Sequence, residues 1–523
     1  MHGCILEPTR KLQDSITALL ENTQLQPAAN PSLPPPADTA ESAFTIFLHI
    51  SLEILHFQCI IVDALRKHCG EICMKTYEMD LCSGSLWKKI LFYSVPLMFS
   101  NILQVVFNLS DVAVVGKFAG PIALGAVGST SILITLFTGV LIGLAGGVNS
   151  MTALYIGSRS KDNLRETVHT SVIICLAAGI AIAVLGIAFS DGILTFMHTK
   201  NELIRDAVVY LRIYLLGMPA LALYNFGNAV LSAAGDTKRP LYYLSFAGVV
   251  NVALNLFFVI VCHMDVKGVA IASILSQYLS AFLILRLLLR TQEDFGLRLN
   301  CLHISGDKAG RILHIGVPCA LQYAIFAVAN LFVQTSVNSF DHVVVEGNSA
   351  AANADPLVYD MMAAFYTACT SFIAQNFGAN KKDRIVKSYL ICLLYSFSVG
   401  LLLGVGLYLF RYPFLSLFTS EQAVIAAGTT RLSVMALSYG VSAFMDCSLA
   451  ASRGLGKTAI PTVMVILGSC VFRIVWIYTV FAHFRTLEAL YLLYVCSWSL
   501  TAVAQILYFI RIYRRTPMTN QSA

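Results

Sequence analysis

The sequence predicts an all-α polytopic membrane protein: twelve transmembrane helices in two homologous six-helix lobes around a V-shaped central cavity. Three observations predict it. The 523-residue chain is 57% hydrophobic and only 12% charged, where a soluble domain carries about a quarter charged residues. Apolar stretches of about the 20 residues that a membrane helix needs recur along most of its length. Finally, the chain repeats itself. In SMTALYIGSRSKD, residues Ser150, Ala153, Gly157, Lys161 and Asp162 match Ser371, Ala374, Gly378, Lys382 and Asp383 of SFIAQNFGANKKD, at a shift of 221. Gly235, Thr237 and Pro240 meet Gly456, Thr458 and Pro461 at the same shift, and Val95-Pro96 meets Val317-Pro318 at 222. Tandem helical lobes of this kind are the plan of secondary transporters, whose substrate path runs between the repeats.

Taken in order, the spans are expected at about 90–116, 122–156, 169–191, 205–230, 240–262, 267–290, 310–338, 343–377, 388–410, 424–451, 461–482 and 488–512. No run has the two-residue alternation of a strand, so the architecture is a bundle and not a barrel. The N-terminal lobe then occupies 74–291, a linker 292–308, the C-terminal lobe 309–515 and a short tail 516–523.

Charge placement gives the orientation. Lys75, Lys88 and Lys89 precede span one, Arg159, Lys161 and Arg165 follow span two, and Lys238 and Arg239 follow span four. Arg286, Arg290, Arg298, Lys308 and Arg311 surround the middle connection. Lys381, Lys382, Arg384 and Lys387 follow span eight, Arg453 and Lys457 span ten, and Arg511, Arg514 and Arg515 span twelve. The alternate loops carry few cations, and the one after span seven is acidic, with Asp341, Glu346 and Asp355. The positive-inside bias therefore puts both termini in the cytoplasm of a cell bounded by this membrane. Six spans per lobe is an even number, so the lobes share one orientation. The net charge of +6 reflects this topology, and no nucleic-acid partner is read into it. The fourteen cysteines are scattered, with no CxxC pair and no zinc-like spacing to histidine, and read as buried thiols.

Polar groups within the spans carry the chemistry, because a charge at the bilayer centre costs a few kcal/mol. Asp111 lies in span one, Asn251 and Asn255 lie four residues apart on one face of span five, and Ser273 lies in span six. Counted from the outer helix ends at about 1.5 Å per residue, Asp111, Asn255 and Ser273 all sit roughly 8–12 Å deep. A carboxylate, two amide oxygens and a hydroxyl suit a dehydrated sodium ion; a desolvated carboxyl equally suits a proton. The plainer alternative is hydrogen bonding between helices. The C-terminal lobe offers Asp446 in span ten, Arg473 in span eleven and Asp360 in span eight as substrate-cavity candidates. Arg473 either pairs with Asp446 as a fixed ion pair or serves another partner. By the repeat, Asp446 aligns with Asn225 and Arg473 with Val252, so the two lobes are chemically unequal.

Over about residues 80–515 the chain resembles the multidrug and toxic compound extrusion (MATE) transporters. The likeness rests on VPLMFSNILQ, NLSDVAVVGKFAG, LSAAGDTKRP, NVALN followed by GVAIAS, and the doubled basic loop after spans two and eight. It implies that Asp111, Asn251, Asn255 and Ser273 form the cation site. Some similar transporters carry Asp where this chain has Asn255, so the site has one charge fewer, and proton and sodium coupling both stay open. The span-seven acid of another branch is missing from PCALQYAIFAVANLF, whereas Asp446 corresponds to that branch's span-ten acid. Ser232 stands where the second lobe has the basic Arg453. The resemblance implies a monomeric efflux transporter of the plasma membrane, without cofactor, that exchanges a proton or sodium for small amphiphilic, cationic molecules across the lipid bilayer.

Two rival classes remain. A lipid-linked oligosaccharide flippase shares the two-lobe plan but usually has fourteen spans and a cationic cavity. A membrane-embedded enzyme needs a clustered nucleophile, base or metal set, and no such constellation stands at the helix ends. ATP-driven pumping by this chain alone is excluded, since it contains no GxxxxGK[ST] loop.

The first 73 residues behave differently. QPAANPSLPPPA reads as a polyproline linker. The apolar stretch after it is broken by His49, Glu53, His56 and Asp63, and reads as interfacial rather than spanning. Met74 opens a lysine-flanked segment that leads straight into span one, and no secretory signal pattern is present. Residues 1–73 are therefore expected to be a disordered extension or a mis-called start. Deleting them is expected to leave membrane insertion and efflux intact, as membrane fractionation and a dye-efflux assay would measure.

Overall fold

The computed structural model describes residues 79–197 and 199–516. Among these, every regular element is helical. The expected extension, residues 1–73, lies outside the described residues, as do Lys75 of the basic flank before span one and the tail beyond Thr516.

The N-terminal half opens with α1 (Leu86–Val114), which widens into a π-type turn at Val115–Ala119. It continues with α2 (Gly120–Gly157) and α3 (Lys161–Phe196), then α4 (Asn201–Leu215) and α5 (Met218–Ala233), which meet at a 44° bend. α6 (Lys238–Leu256) ends in a second π-type turn at Phe257–Val261, and α7 (Asp265–Arg290) closes the half. The C-terminal half has α8 (Gly306–Val337), α9 (His342–Ala352), α10 (Ala354–Gly378), α11 (Lys382–Leu409), the short α12 (Arg411–Ser416) and α13 (Gln422–Gly454). Next come α14 (Ala459–Val465), α15 (Phe472–Trp476) and α16 (Ala482–Phe484), joined by π-type turns at Ile466–Val471 and Ile477–Phe481, and finally α17 (Leu487–Arg515).

Among the described residues nine helical runs are long and apolar enough to cross a bilayer, or up to eleven when each bent pair is taken as one. The first run, Leu86–Gly157, is 72 residues long. It is interrupted at Gly120, whose φ of +89° only glycine adopts without strain, and Pro121 sits at the start of α2, where its missing N–H costs nothing. Asp355, expected in an acidic loop, instead lies in the first turn of α10, while Asp341 accepts the Val344 N–H at 3.0 Å and caps α9.

The sequence repeat is a repeat of turn chemistry. Arg159 and Asn380, 221 positions apart, both adopt left-handed φ (54° and 57°) just beyond α2 and α10. In each case the next amide reaches back into the helix, Ser160 to Tyr155 O at 3.2 Å and Lys381 to Asn376 O at 2.8 Å. This bonding satisfies carbonyls that the helix end leaves open.

At this same end the two copies press on each other. A Cβ on Gly157 would lie 2.0 Å from Gln375 O, and one on Gly378 would lie 2.1 Å from Leu154 O. Polar side chains lock the crossing. Tyr93 donates to Ser371 Oγ at 2.9 Å, Ser371 to Asn149 Oδ1 at 2.9 Å, Ser150 to Arg453 O at 2.9 Å, and Gln375 to Ala233 O at 2.7 Å. All of these donors are buried. Each bond joins residues from the two halves, so closure here is a joint property of the repeats.

The middle connection is fastened to the N-terminal half. Phe295 and Leu297 are buried with Leu164 and Val168 of α3. His169 accepts the Arg298 N–H at 3.1 Å, and Thr170 accepts that of Ser305 at 3.1 Å. Asp294 bridges Lys161 at 3.0 Å and Arg165 at 2.9 Å, and the Lys161 ammonium together with Arg165 holds its carboxyl below the usual range.

Gly378→Val should wedge this crossing apart. We expect normal membrane expression, lost efflux, and new maleimide labelling of a cysteine placed at Ser371, which is fully buried in the parent protein. Labelling unchanged from the parent would show that the crossing tolerates a side chain.

Candidate functional site

The four residues expected to hold the coupling ion come together. Asp111, half-buried three residues before the end of α1, accepts from Asn255 Nδ2 of α6 at 2.5 Å on one oxygen. Its other oxygen accepts from the Ser273 hydroxyl of α7 at 3.0 Å. The Asn255 amide also donates to Asn251 Oδ1 at 3.3 Å, one turn earlier on the same helix. Asn251, Asn255 and Ser273 are all buried. An apolar cluster that includes Val114, Val127, Tyr210, Val259 and Val269, drawn from helices α1, α2, α4 and α7 and the turn after α6, packs alongside. Such walls keep water from competing for the carboxylate.

One atom of this site is unsatisfied. Asn255 Oδ1 is buried and has no hydrogen-bond partner. A buried amide oxygen without a partner costs about 1–3 kcal/mol. Rotating the amide by half a turn would point that oxygen at Asp111. Two oxygens can face each other only with a proton or a cation between them. The π-type turns at Val115–Ala119 and Phe257–Val261 begin four residues after Asp111 and two after Asn255. Wider turns of this kind recur at functional positions in helices.

In the C-terminal half the expected residues are not one cluster. Arg473 and Asp446 do not pair with each other. Asp446, buried on α13, accepts from the Tyr359 hydroxyl at 3.2 Å. Arg473, buried on α15, donates to Asn330 Oδ1 at 3.1 Å and lies over the Tyr494 ring at 4.4 Å. Asp360 is half-buried on α10, and its backbone carbonyl accepts from Asn101 Nδ2 of α1 at 2.7 Å, a link between the halves. Among the described residues no group of three or more His, Cys, Asp and Glu is arranged to hold a metal ion.

The MatE family profile matches this chain twice, over residues 96–257 and 318–479, together more than half of its length. The chain belongs to the MATE family of transporters. The two matched blocks start 222 residues apart, the same offset as the two Val-Pro pairs. A probable multidrug resistance protein of Bacillus subtilis strain 168, YpnP, is 28% identical over 369 residues, covering 70% of this chain and 81% of that protein. YoeA, a second probable multidrug resistance protein of the same strain, is 26% identical over 389 residues, covering 73% and 84%. In fold, the chain is similar to a multidrug resistance MATE transporter of the MOP superfamily solved in its outward-facing conformation. There the TM-score is 0.79 at 23% identity, with 84% of this chain and 99% of that one covered. The chain is therefore an all-α, multi-pass membrane transporter and not an enzyme.

In this MATE protein, sequence reasoning passed over one buried polar cluster. Arg431 of α13 pairs with Asp355 of α10 at 2.5 Å and donates to Asn348 of α9 at 2.6 Å. Tyr439 donates to the other Asp355 oxygen at 2.5 Å, and Tyr491 to Asn348 at 3.1 Å. An Arg inside an apolar run was the available signal, but its acid lies 76 positions away and was assigned to a loop. The Arg431 side chain is 7% exposed and that of Asp355 35%, which makes the two deletions unequal. Asp355→Asn strands a buried guanidinium, whereas Arg431→Gln leaves an acid that water can reach. We expect Asp355→Asn to lower thermal stability by about 2–3 kcal/mol and Arg431→Gln by clearly less. Thermal unfolding in detergent, followed by thiol-reactive fluorescence, reads the difference.

Proposed function

We propose that this MATE transporter is a secondary active exporter that exchanges a proton or a sodium ion at Asp111 for amphiphilic, cationic molecules by alternating access. The observation that carries the reading is the shared carboxylate. Asp111 is bonded from both α6 and α7, with the orphaned Asn255 oxygen beside it. Loading a cation there neutralises the carboxylate and turns Asn255 from donor to ligand. Releasing it restores the two donated bonds. The charge of the site is thereby tied to how three helices pack, and that tie is what exchange requires.

The same reading takes the chain as twelve spans. At about 1.5 Å per residue the 72-residue first run would be roughly three bilayers long, so it counts as two spans broken at Gly120. Each bent pair counts as one. Six spans then fall in each half, lobes 74–291 and 309–515 rock about the crossing at Gly157 and Gly378, and the linker 292–308 lies in the cytoplasm with both termini. The plasma membrane is the proposed location, and the monomer the working unit. Asp446 and Asp360, each without a cationic side chain bonded to its carboxylate among the described residues, supply the preference for cations on the substrate side.

Asp111→Asn should abolish gradient-driven dye efflux from vesicles while the protein remains folded. Asn255→Ala should slow efflux by about tenfold, the equivalent of one hydrogen bond to a charged group. Collapsing the proton and sodium gradients separately names the ion. Wild-type rates in Asp111→Asn would remove this site from the mechanism.

A further inference from the structure

The repeat carries the cation site of the N-terminal half onto a second place in the chain. At the shift of 221, Asn251, Val252 and Asn255 map to Phe472, Arg473 and Trp476, and Ser273 maps to Tyr494. At the 222 shift of the Val-Pro pairs, Asp111 maps to Val333 of α8, and Asn330 stands one turn before it on the same face. The π-type turn Phe257–Val261 maps, to within one residue, onto Ile477–Phe481. The three helices that hold Asp111 thus have three counterparts, and Arg473 sits among them with Asn330 and Tyr494.

The charge is inverted. In the N-terminal half an acid is surrounded by neutral donors. In the C-terminal half the acid's position is apolar and the charge is a guanidinium. Arg473 is 2% exposed. Its Nε is buried without a hydrogen-bond partner, and its one side-chain bond is to the neutral Asn330. Tyr494 at 4.4 Å and Phe326 at 5.6 Å offer ring faces, which attract a cation but do not neutralise it. Among the described residues no carboxylate pairs with Arg473; Asp355 is taken by Arg431, and Asp446 bonds Tyr359. A desolvated, unpaired charge is costly, and a chain that keeps one has a use for it. Two further features point to a ligand. Arg473 is bracketed by π-type turns on both sides, Ile466–Val471 and Ile477–Phe481, so its stretch of helix is loosened at each end. Its partner Asn330 is exposed, on the same face of α8 as exposed Tyr323 seven residues earlier.

We propose that Arg473, with Asn330, Tyr494 and Phe326, is an anion site: the pseudo-symmetric counterpart of the Asp111 site, which receives an anionic group, a carboxylate or a phosphate, of the transported molecule. The guanidinium takes two oxygens of such a group with paired N–H donors. Asn330 presents the site to the exposed face, and the two rings hold the apolar part that follows. The proposal rests on the reading of the chain as an exporter of amphiphiles and adds a charge requirement to it. With Asp446 and Asp360 in the same half, the molecules best accommodated carry both signs of charge.

The test is binding without any gradient, so it stands apart from the efflux experiments on Asp111. The full chain in nanodiscs of zwitterionic lipid is titrated with dansylglycine and with its uncharged amide, dansylglycinamide, following dansyl fluorescence and subtracting protein-free discs. We expect the parent protein to bind the carboxylate at least about tenfold more tightly than the amide, the worth of one charge-assisted pair. Arg473→Gln should bring that ratio to about one, Arg473→Lys should restore part of it, and Asn330→Ala, which leaves the buried charge in place, should reduce it. Sodium chloride and sodium phosphate are the competing arms. If either salt alone displaces dansylglycine and raises the thermal midpoint of the parent protein but not of Arg473→Gln, the site stands and its occupant is a free anion. Equal affinity for the two dansyl probes in the parent protein, with no stabilisation by either salt, would overturn the proposal. So would an Arg473→Gln protein that keeps the parent's ratio.

Discussion

A charged group inside a bilayer must be satisfied by its neighbours, because lipid offers it nothing. Much of this molecule follows from that constraint. Asp111 cannot be met by one residue of its own helix: i±3 and i±4 neighbours point along the same face, whereas a carboxylate needs donors from several directions. Its partners accordingly come from α6 and α7, 144 and 162 positions away. The requirement ties three helices into one unit through bonds that all end on one carboxylate.

Close approach of the two halves is the complementary constraint. Polar side chains such as Tyr93, Asn149, Ser371 and Gln375 bond across the crossing only because Gly157 and Gly378 let the backbones come within van der Waals contact. Small residues serve this purpose in membrane helices generally, where packing and interhelical bonds replace the hydrophobic drive of water. The arrangement is reciprocal: each glycine faces the backbone of the other copy, so opening one contact opens both.

Much of this was legible in the chain because the repeat is written in turn residues. Gly157, Gly378, Gly235 and Gly456 recur at fixed offset since each is required by a backbone geometry that both halves share. The Asp111 cluster was legible because its members are rare in their setting and their depths could be counted from helix ends. The Arg431–Asp355 pair was not: charges 76 positions apart show no pairing in sequence, and Asp355 reads with Asp341 and Glu346 as one acidic stretch, whereas it opens the second of two segments, α9 and α10, that meet at Asn353. Likewise the sequence left open whether Arg473 pairs with Asp446 or serves another partner, since both are charged groups within spans and nothing more could be read. Sequence carries no information about azimuth around a bent, π-widened helix, and azimuth is what separates them.

Duplication of a lobe gives two copies of every pocket, and the two need not carry the same charge. Coupling and substrate recognition place opposite demands on a site. The coupling ion must be bound through exchangeable, modest contacts, whereas a substrate must be distinguished from lipid and from competing solutes. Placing the acid in one half and the cation in the other lets each site be adjusted without disturbing its twin. A molecule carrying a cationic centre and an anionic group would then be held by the C-terminal half alone, by Asp446 or Asp360 at one end and Arg473 at the other. The N-terminal half would remain free to load and discharge its ion. Chemical inequality between structurally equivalent pockets is, on this view, what allows a duplicated bundle to exchange two unlike cargoes instead of carrying one of them twice.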